Sequence, residues 1–220
     1  MLARMRFRMP GVAAGDTGLR PPQQRRSRES LERILRAGAG VLADRGYDGF
    51  TIGEVSRKAK VSVGSVYGRF ESKDALVYEI HRRLLARLTP PEVPDEAVAD
   101  LRAAVEHAVR RLADSIDGER ELLRAFMLRG PVDERIAAQG SEASQAVGRA
   151  FRATLLAHRA EIGHRDPELA TDISYRMVYD VLGRHVMYGP TFESDAERTW
   201  DELVEELIRA VVAYLRFADR

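Results

Sequence analysis

No stretch of this chain alternates apolar and polar residues long enough to make a half-buried strand. From about Arg25 almost to the end, apolar residues recur at spacings of three and four. A chain patterned in this way folds as packed amphipathic helices, and we expect an all-α protein of about nine. Leu31, Ile34, Leu35, Gly38, Val41 and Leu42 form the first apolar face, and Gly46 stops it. Thr51 opens a short second helix, with Glu54 three residues on as the other half of a capping box. Ser62 caps a third over residues 63–68, and a fourth over 72–88 buries Leu76, Ile80 and Leu84. Thr89-Pro90-Pro91-Glu92-Val93-Pro94 then interrupts, because three prolines cannot lie inside one helix.

Beyond that break come helical stretches over 95–116, 119–128 and 132–158, the last two separated by Gly130-Pro131. Asp166-Pro167 is a cap followed by proline at the first helical position, opening a helix over 167–188 that Gly189-Pro190 ends. Ser194 and Glu197 make a capping box for a last helix over 195–217. The domains expected are a disordered basic tail over 1–24, a head over 25–88 and a helical body over 95–220.

Composition narrows the function. The 220 residues include no cysteine, which removes disulfides, zinc–thiolate sites and thiol nucleophiles. No apolar run approaches the ~18 residues of a membrane span. Arg4, Arg6 and Arg8 lead into no apolar h-region, so a soluble, cytoplasmic protein with no membrane partner is expected. The net charge of +1 hides a segregation. Residues 1–88 hold 18 Lys and Arg against 9 Asp and Glu, a net of +9, and residues 89–220 hold 17 against 25, a net of −8. Such a split suits a polyanion-binding module on an acidic body, although seven of those positive charges precede Ser30 and could be a solvated tail.

The most informative segment runs from Thr51 to Phe70. Two capped helices are joined by a turn of three or four residues, and the second is too short to stand alone. Ile52 and Val55 can pack under Val66 and Phe70, which would push the outer face of the short helix into a groove of duplex DNA. Thr51, Ser62, Ser65 and Tyr67 offer hydroxyls, and Lys60, Arg69 and Lys73 offer charge, for phosphates. The short helix has no Arg, Asn or Gln. Base discrimination would then rest on serine hydroxyls, on Lys60 or Arg69 at the edges, and on contact between Val63 and a thymine methyl. Val63 equally fits the core at i, i+3, i+7 with Val66 and Phe70, and Tyr67 also has a packing reading.

Residues 27–88 resemble the N-terminal DNA-binding domain of the TetR family of transcriptional regulators. The match runs through Ile34-Leu35, Gly46-Tyr47, Thr51, Val61-Ser62, Gly64-Ser65-Val66-Tyr67, Phe70, Lys73 and Leu76. The resemblance implies that residues 63–68 are the recognition helix, with Ser62, Val63, Ser65 and Gly68 near base edges and Thr51, Tyr67 and Lys73 on phosphates. It further implies a palindromic double-stranded operator, a homodimer built on the last two helices, repression, and control by a small-molecule effector. Three positions depart from the family pattern. Lys60 stands in the turn where glycine is usual, Gly68 where bulkier residues are common, and Arg69 where an aromatic or histidine is more usual. A strained or differently shaped turn at Lys60 is therefore expected.

The other signals are weaker. Glu161-Ile-Gly-His164 has the spacing of a di-iron motif but stands alone where two are needed, so no metal or cofactor is expected. No phosphate loop or nucleophile elbow appears, and the chain does not read as an enzyme. Phe126, Met127, Phe151, Tyr175, Met177, Tyr179 and His185 could line a ligand pocket between helices, or could be plain core. The penultimate helix carries two apolar stripes, Tyr175, Val178, Leu182 and Tyr188 beside Ile173, Met177 and Val181. It therefore needs a second partner, within the chain or in another copy. The alternative reading is a dimeric helical small-molecule sensor that has lost sequence-specific DNA binding.

Overall fold

The computed structural model describes residues 22–89 and 98–217, and every regular element among them is helical. In chain order these are α1 (Pro22–Arg45), α2 (Ile52–Ala59), α3 (Val63–Tyr67), α4 (Lys73–Leu88), α5 (Leu101–Asp117), α6 (Arg120–Arg129), α7 (Glu134–Leu156), α8 (Pro167–Tyr188) and α9 (Trp200–Arg216). Short 3-10 turns at Gly130–Val132 and Arg159–Glu161 follow α6 and α7. The tail expected over 1–24 and the proline-driven break fall largely on residues 1–21 and 90–97, outside the described residues. Within them, α1 already begins at Pro22.

Helix starts follow local capping chemistry. Thr51, Ser62, Ser72, Asp100, Asp133, Asp166 and Thr199 each accept the backbone N–H three residues on. Two starts differ from the sequence reading. The fifth helix begins at Leu101 behind the Asp100 cap, with Val98 outside it. The last begins at Trp200, because Thr199 and Glu202 form the reciprocal capping box that Ser194 and Glu197 were expected to form. Trp200, Leu203, Val204 and Leu207 give that later start an apolar face, whereas residues 195–199 have only Ala196 to bury. The box at Thr51 forms by half. Glu54 turns away from the cap to pair with Arg45 at 2.8 Å and Arg57 at 3.3 Å.

Two apolar cores result. One joins α5, α7, α8 and α9 around Val105, Val109, Phe151, Leu155, Val178, Leu182, Val211 and Leu215. The other gathers Ile34, Leu42, Phe50, Val55, Val66, Phe70, Leu76 and Ile80 from α1–α4, and it also takes in Leu122, Phe126 and Ile136 from α6 and α7. The N-terminal core is thus completed by residues from the second half of the chain.

The turn between α2 and α3 carries the expected strain. Lys60 sits in the left-handed region at φ 54°, ψ 51°, the only non-glycine residue described with positive φ. Its N–H bonds to Arg57 O, and the Val61 N–H bonds to Ser56 O, closing α2 in the Schellman pattern that usually ends on glycine. The hydroxyl of buried Ser56 donates to Val61 O at 2.6 Å and locks the turn. Hence Lys60→Gly should raise stability by about 1 kcal/mol, since glycine takes this conformation without the Cβ clash. A thermal or urea unfolding curve that moves the other way would show that the backbone is not strained there.

Candidate functional site

α2, the locked turn and α3 form a helix–turn–helix braced from behind by α1. The Arg33 Nε donates to Ala59 O at 3.3 Å, and Lys58 pairs with Asp44 at 2.7 Å. α3 has only five residues and cannot persist alone. It is held by one fully buried residue, Val66, and by Phe70 just beyond its end. This anchoring leaves the opposite side free. Val63 is 44% exposed and Tyr67 51% exposed, which removes the core reading of Val63 and the packing reading of Tyr67. Thr51, Lys60, Ser62, Gly64, Gly68 and Arg69 are exposed as well, with Ser65 half-buried among them.

Several of these side chains also have internal tasks. Ser62 caps α3, and its hydroxyl lies 2.8 Å from that of Ser65. Arg69 donates to Ser65 O at 3.2 Å and to Ser27 Oγ at 3.2 Å, tying the first turns of α1 to the end of α3. That contact brings the exposed Arg25, Arg26 and Arg28 into the same neighbourhood as a basic edge, outside the Thr51–Phe70 segment. Gly68 closes α3 in an ordinary right-handed conformation, φ −67° and ψ −8°, so its departure from the family pattern does not deform the unit.

Lys73 is placed differently from the rest. It is half-buried, its Nζ donating to Tyr47 O at 2.8 Å and lying 4.0 Å from the Tyr47 ring centroid. The Arg129 guanidinium at the end of α6 lies 3.8 Å from that centroid too. The Tyr47 hydroxyl donates to Asp74, and this hydrogen bond pushes the phenol up to about 12. Arg129 also pairs with Asp133 at 3.5 Å, and Asp133 accepts from Tyr78 at 3.4 Å. The start of α4 is therefore linked to the end of α6 through aromatic and charged groups.

The residues suggested for an inner pocket divide. Phe126, Met127 and Tyr179 line a cavity of about 270 Å³ bounded by α4, α5, α6, α7 and α8. Phe151 lines an adjoining space of about 210 Å³ that shares Leu88, Leu112, Ser115 and Val147 with the first. Tyr175 is buried, its hydroxyl donating to Ser144 O at 2.8 Å, and Met177 packs against the core of the body. His185 stands apart, edge-on to Trp200 at 5.4 Å. The sequence reading missed His81, which lines the larger cavity from α4. Its place four residues after Val77 and three before Leu84, on an apolar stripe, was the available signal. Glu161 and His164 are engaged locally. Glu161 accepts from the Leu101 N–H at 3.1 Å, and His164 Nδ1 accepts from the Asp166 N–H at 3.0 Å. No helix among the described residues is long and apolar enough to cross a membrane.

Comparison with known proteins agrees with this geometry. Residues 34–80 match the family model described as bacterial regulatory proteins, tetR family, across α2, α3 and the helices that brace them. Residues 34–80 carry a TetR-family helix–turn–helix domain. Relatives matched over longer stretches are named as transcriptional regulators. An uncharacterized HTH-type transcriptional regulator of Mycobacterium tuberculosis H37Rv is 29% identical over 121 residues, 52% of this chain. The chain spans 60% of that relative's length. The HTH-type transcriptional regulator UidR of Escherichia coli K12 is 24% identical over 178 residues, covering 79% of this chain and 86% of UidR. A TetR transcription regulator from Haloarcula marismortui superposes with a TM-score of 0.65 at 18% identity, over 86% of this chain and 97% of that one, which shows the shared fold.

Proposed function

We propose that this TetR-family regulator is a dimeric repressor that reads a palindromic DNA operator through α3 and releases it when a small molecule enters the cavity. The observation that carries the DNA-reading part is the exposure of Val63 and Tyr67 on a helix whose inner side is fully buried. In this reading residues 25–88 are the head and 95–220 the effector-binding and dimerisation body. Thr51, Tyr67 and Lys60 approach phosphates, Ser62, Val63, Ser65 and Gly68 face base edges, and Arg69 sets the flank. Lys73 acts chiefly through Tyr47, so Lys73→Ala would disturb the fold as well as any phosphate contact. Tyr67→Phe is the cleaner variant. Losing one hydrogen bond to a charged phosphate, about 1.5–3 kcal/mol, should weaken binding by roughly 10- to 150-fold on any sequence. Lys60→Gly should lower the salt slope of binding by about 0.9 even as it stabilises the fold.

Effector control is supported by what the cavity touches. Its wall includes His81, Leu85 and Leu88 of α4, whose other end begins at Lys73 beside α3, and Phe126 of α6, which belongs to the head's own core. A molecule that fits the cavity better in one arrangement of α4 and α6 shifts the population toward that arrangement, and so changes where two heads lie. Nothing in the arrangement calls for catalysis.

The decisive experiment is selection of bound duplexes from a random pool by the full chain. A recovered inverted repeat with half-site centres roughly 34–36 Å apart is expected, one helical turn or a multiple of it. Recovery of no preferred sequence would overturn the operator reading and favour a sensor without sequence-specific DNA binding.

A further inference from the structure

The cavity has a composition that restricts its occupant. None of its lining residues is Asp, Glu, Lys or Arg. The wall is Leu85, Leu112, Ile116, Phe126, Met127, Ile136 and similar apolar groups, broken only by His81, Ser115, Ser144 and Tyr179. Its volume has a clear origin in α7, which presents Ala137, Gly140 and Ala143 where larger residues would close the space. A Cβ added at Gly140 would meet nothing within 4 Å, so this glycine does not serve close helix packing. Gly148 of the same helix does serve it, since a Cβ there would lie 2.7 Å from the Tyr175 ring.

His81 supplies the directional group. Its Nδ1 lies 3.1 Å from Gln139 Oε1, which can only accept, so the proton sits on Nδ1 and Nε2 keeps its lone pair. The ring packs 4.4 Å from Phe126, which fixes its plane. Burial pushes His81 below the ordinary histidine range, so the ring is neutral at pH 7.

The geometry points to an uncharged, largely apolar effector of about two fused rings, bearing one hydroxyl or N–H that His81 Nε2 accepts. This rests on the effector reading above and narrows it. A cavity of about 270 Å³ is larger than the ~150 Å³ apolar cavity known to hold benzene. A charged group would shed its water here with no counter-charge to meet.

Isothermal titration of the full chain with 2-naphthol, naphthalene and 2-naphthoate tests this. Expected is tightest binding of 2-naphthol, with naphthalene several-fold weaker and 2-naphthoate at least about tenfold weaker. His81→Phe keeps the ring and removes the acceptor, and should erase the preference of 2-naphthol over naphthalene. Should His81→Phe fold poorly, Gln139→Leu, which no longer holds the tautomer, should narrow the same preference. Gly140→Leu fills the space and should abolish binding of all three probes. Tight binding of 2-naphthoate, or a preference for 2-naphthol that survives in both variants, would overturn this chemical class while leaving an effector cavity in place. Failure of every probe to bind, or binding undiminished in Gly140→Leu, would overturn the effector reading of the cavity itself.

Discussion

Phe70→Ala should abolish specific DNA binding while leaving the α5–α9 body folded. Phe70 stands just past α3, nearly buried in the core that also holds Val66, Val55 and Leu76. Truncating a buried phenylalanine to alanine costs about 3–5 kcal/mol. A five-residue helix has no internal reserve against that loss, so the exposed face carrying Val63 and Tyr67 would no longer be presented in one orientation. Far-UV circular dichroism should change little, because α3 contributes few residues. Operator affinity by anisotropy should fall at least about a hundredfold, the equivalent of 2.7 kcal/mol. Val63→Ala is the matched control. It removes an exposed apolar group, should leave the unfolding midpoint within error, and should alter preference only where a thymine methyl is read. Operator binding by Phe70→Ala within threefold of the parent would mean that this core does not hold α3 in its binding orientation.

These two positions also show why part of the site was legible in the sequence. The helix–turn–helix is specified locally. Ser62 caps α3 from the adjacent residue, Thr51 caps α2, and Val66 and Phe70 repeat at four, so caps and spacing placed the starts of both helices within a residue of where they lie. Lys60 was legible through the resemblance, because it stands where the family usually has glycine, the residue that takes a left-handed turn most readily. Val63 was not, since i, i+3, i+7 spacing fits a core residue as well as an exposed one, and only the crossing of α2 on α3 decides between them. Lys73 was misleading for a similar reason. A lysine in the first turn of a helix reads as free charge, and the Tyr47 carbonyl that engages it lies 26 residues away. The cavity was least legible of all. It is defined by small residues on α7 and by His81 on α4, and an absence of bulk leaves no periodic signal. Aromatic spacing drew attention to His185, which lies elsewhere.

The body makes the second large prediction. On α8, Tyr175, Val178 and Leu182 are buried, whereas Tyr188 joins the other stripe, 46% exposed and stacked on Phe192 at 4.4 Å. Helical geometry explains the reassignment: seven residues from Val181 return to nearly the same face, and six from Leu182 do not. Leu169, Ile173, Met177, Val181 and Tyr188 thus form one stripe along α8, with Leu169 and Val181 exposed at 50% and 38%. Among the described residues no helix covers these exposed positions, and Ala210 and Ala213 on α9 and Phe217 at its end are exposed as well. A second copy would bury both surfaces and set two recognition helices at a fixed separation. Val181→Arg places a charge in the middle of that stripe. It should convert the protein to a monomer in sedimentation equilibrium at micromolar concentration without lowering its helix content. Operator affinity should then fall by about two to four orders of magnitude, because the second head no longer binds at the high effective concentration that a rigid tether provides. Binding to a single half-site should stay within a few-fold, which separates loss of pairing from damage to the head. A Val181→Arg protein that remains dimeric and retains full operator affinity would place the interface elsewhere on the body.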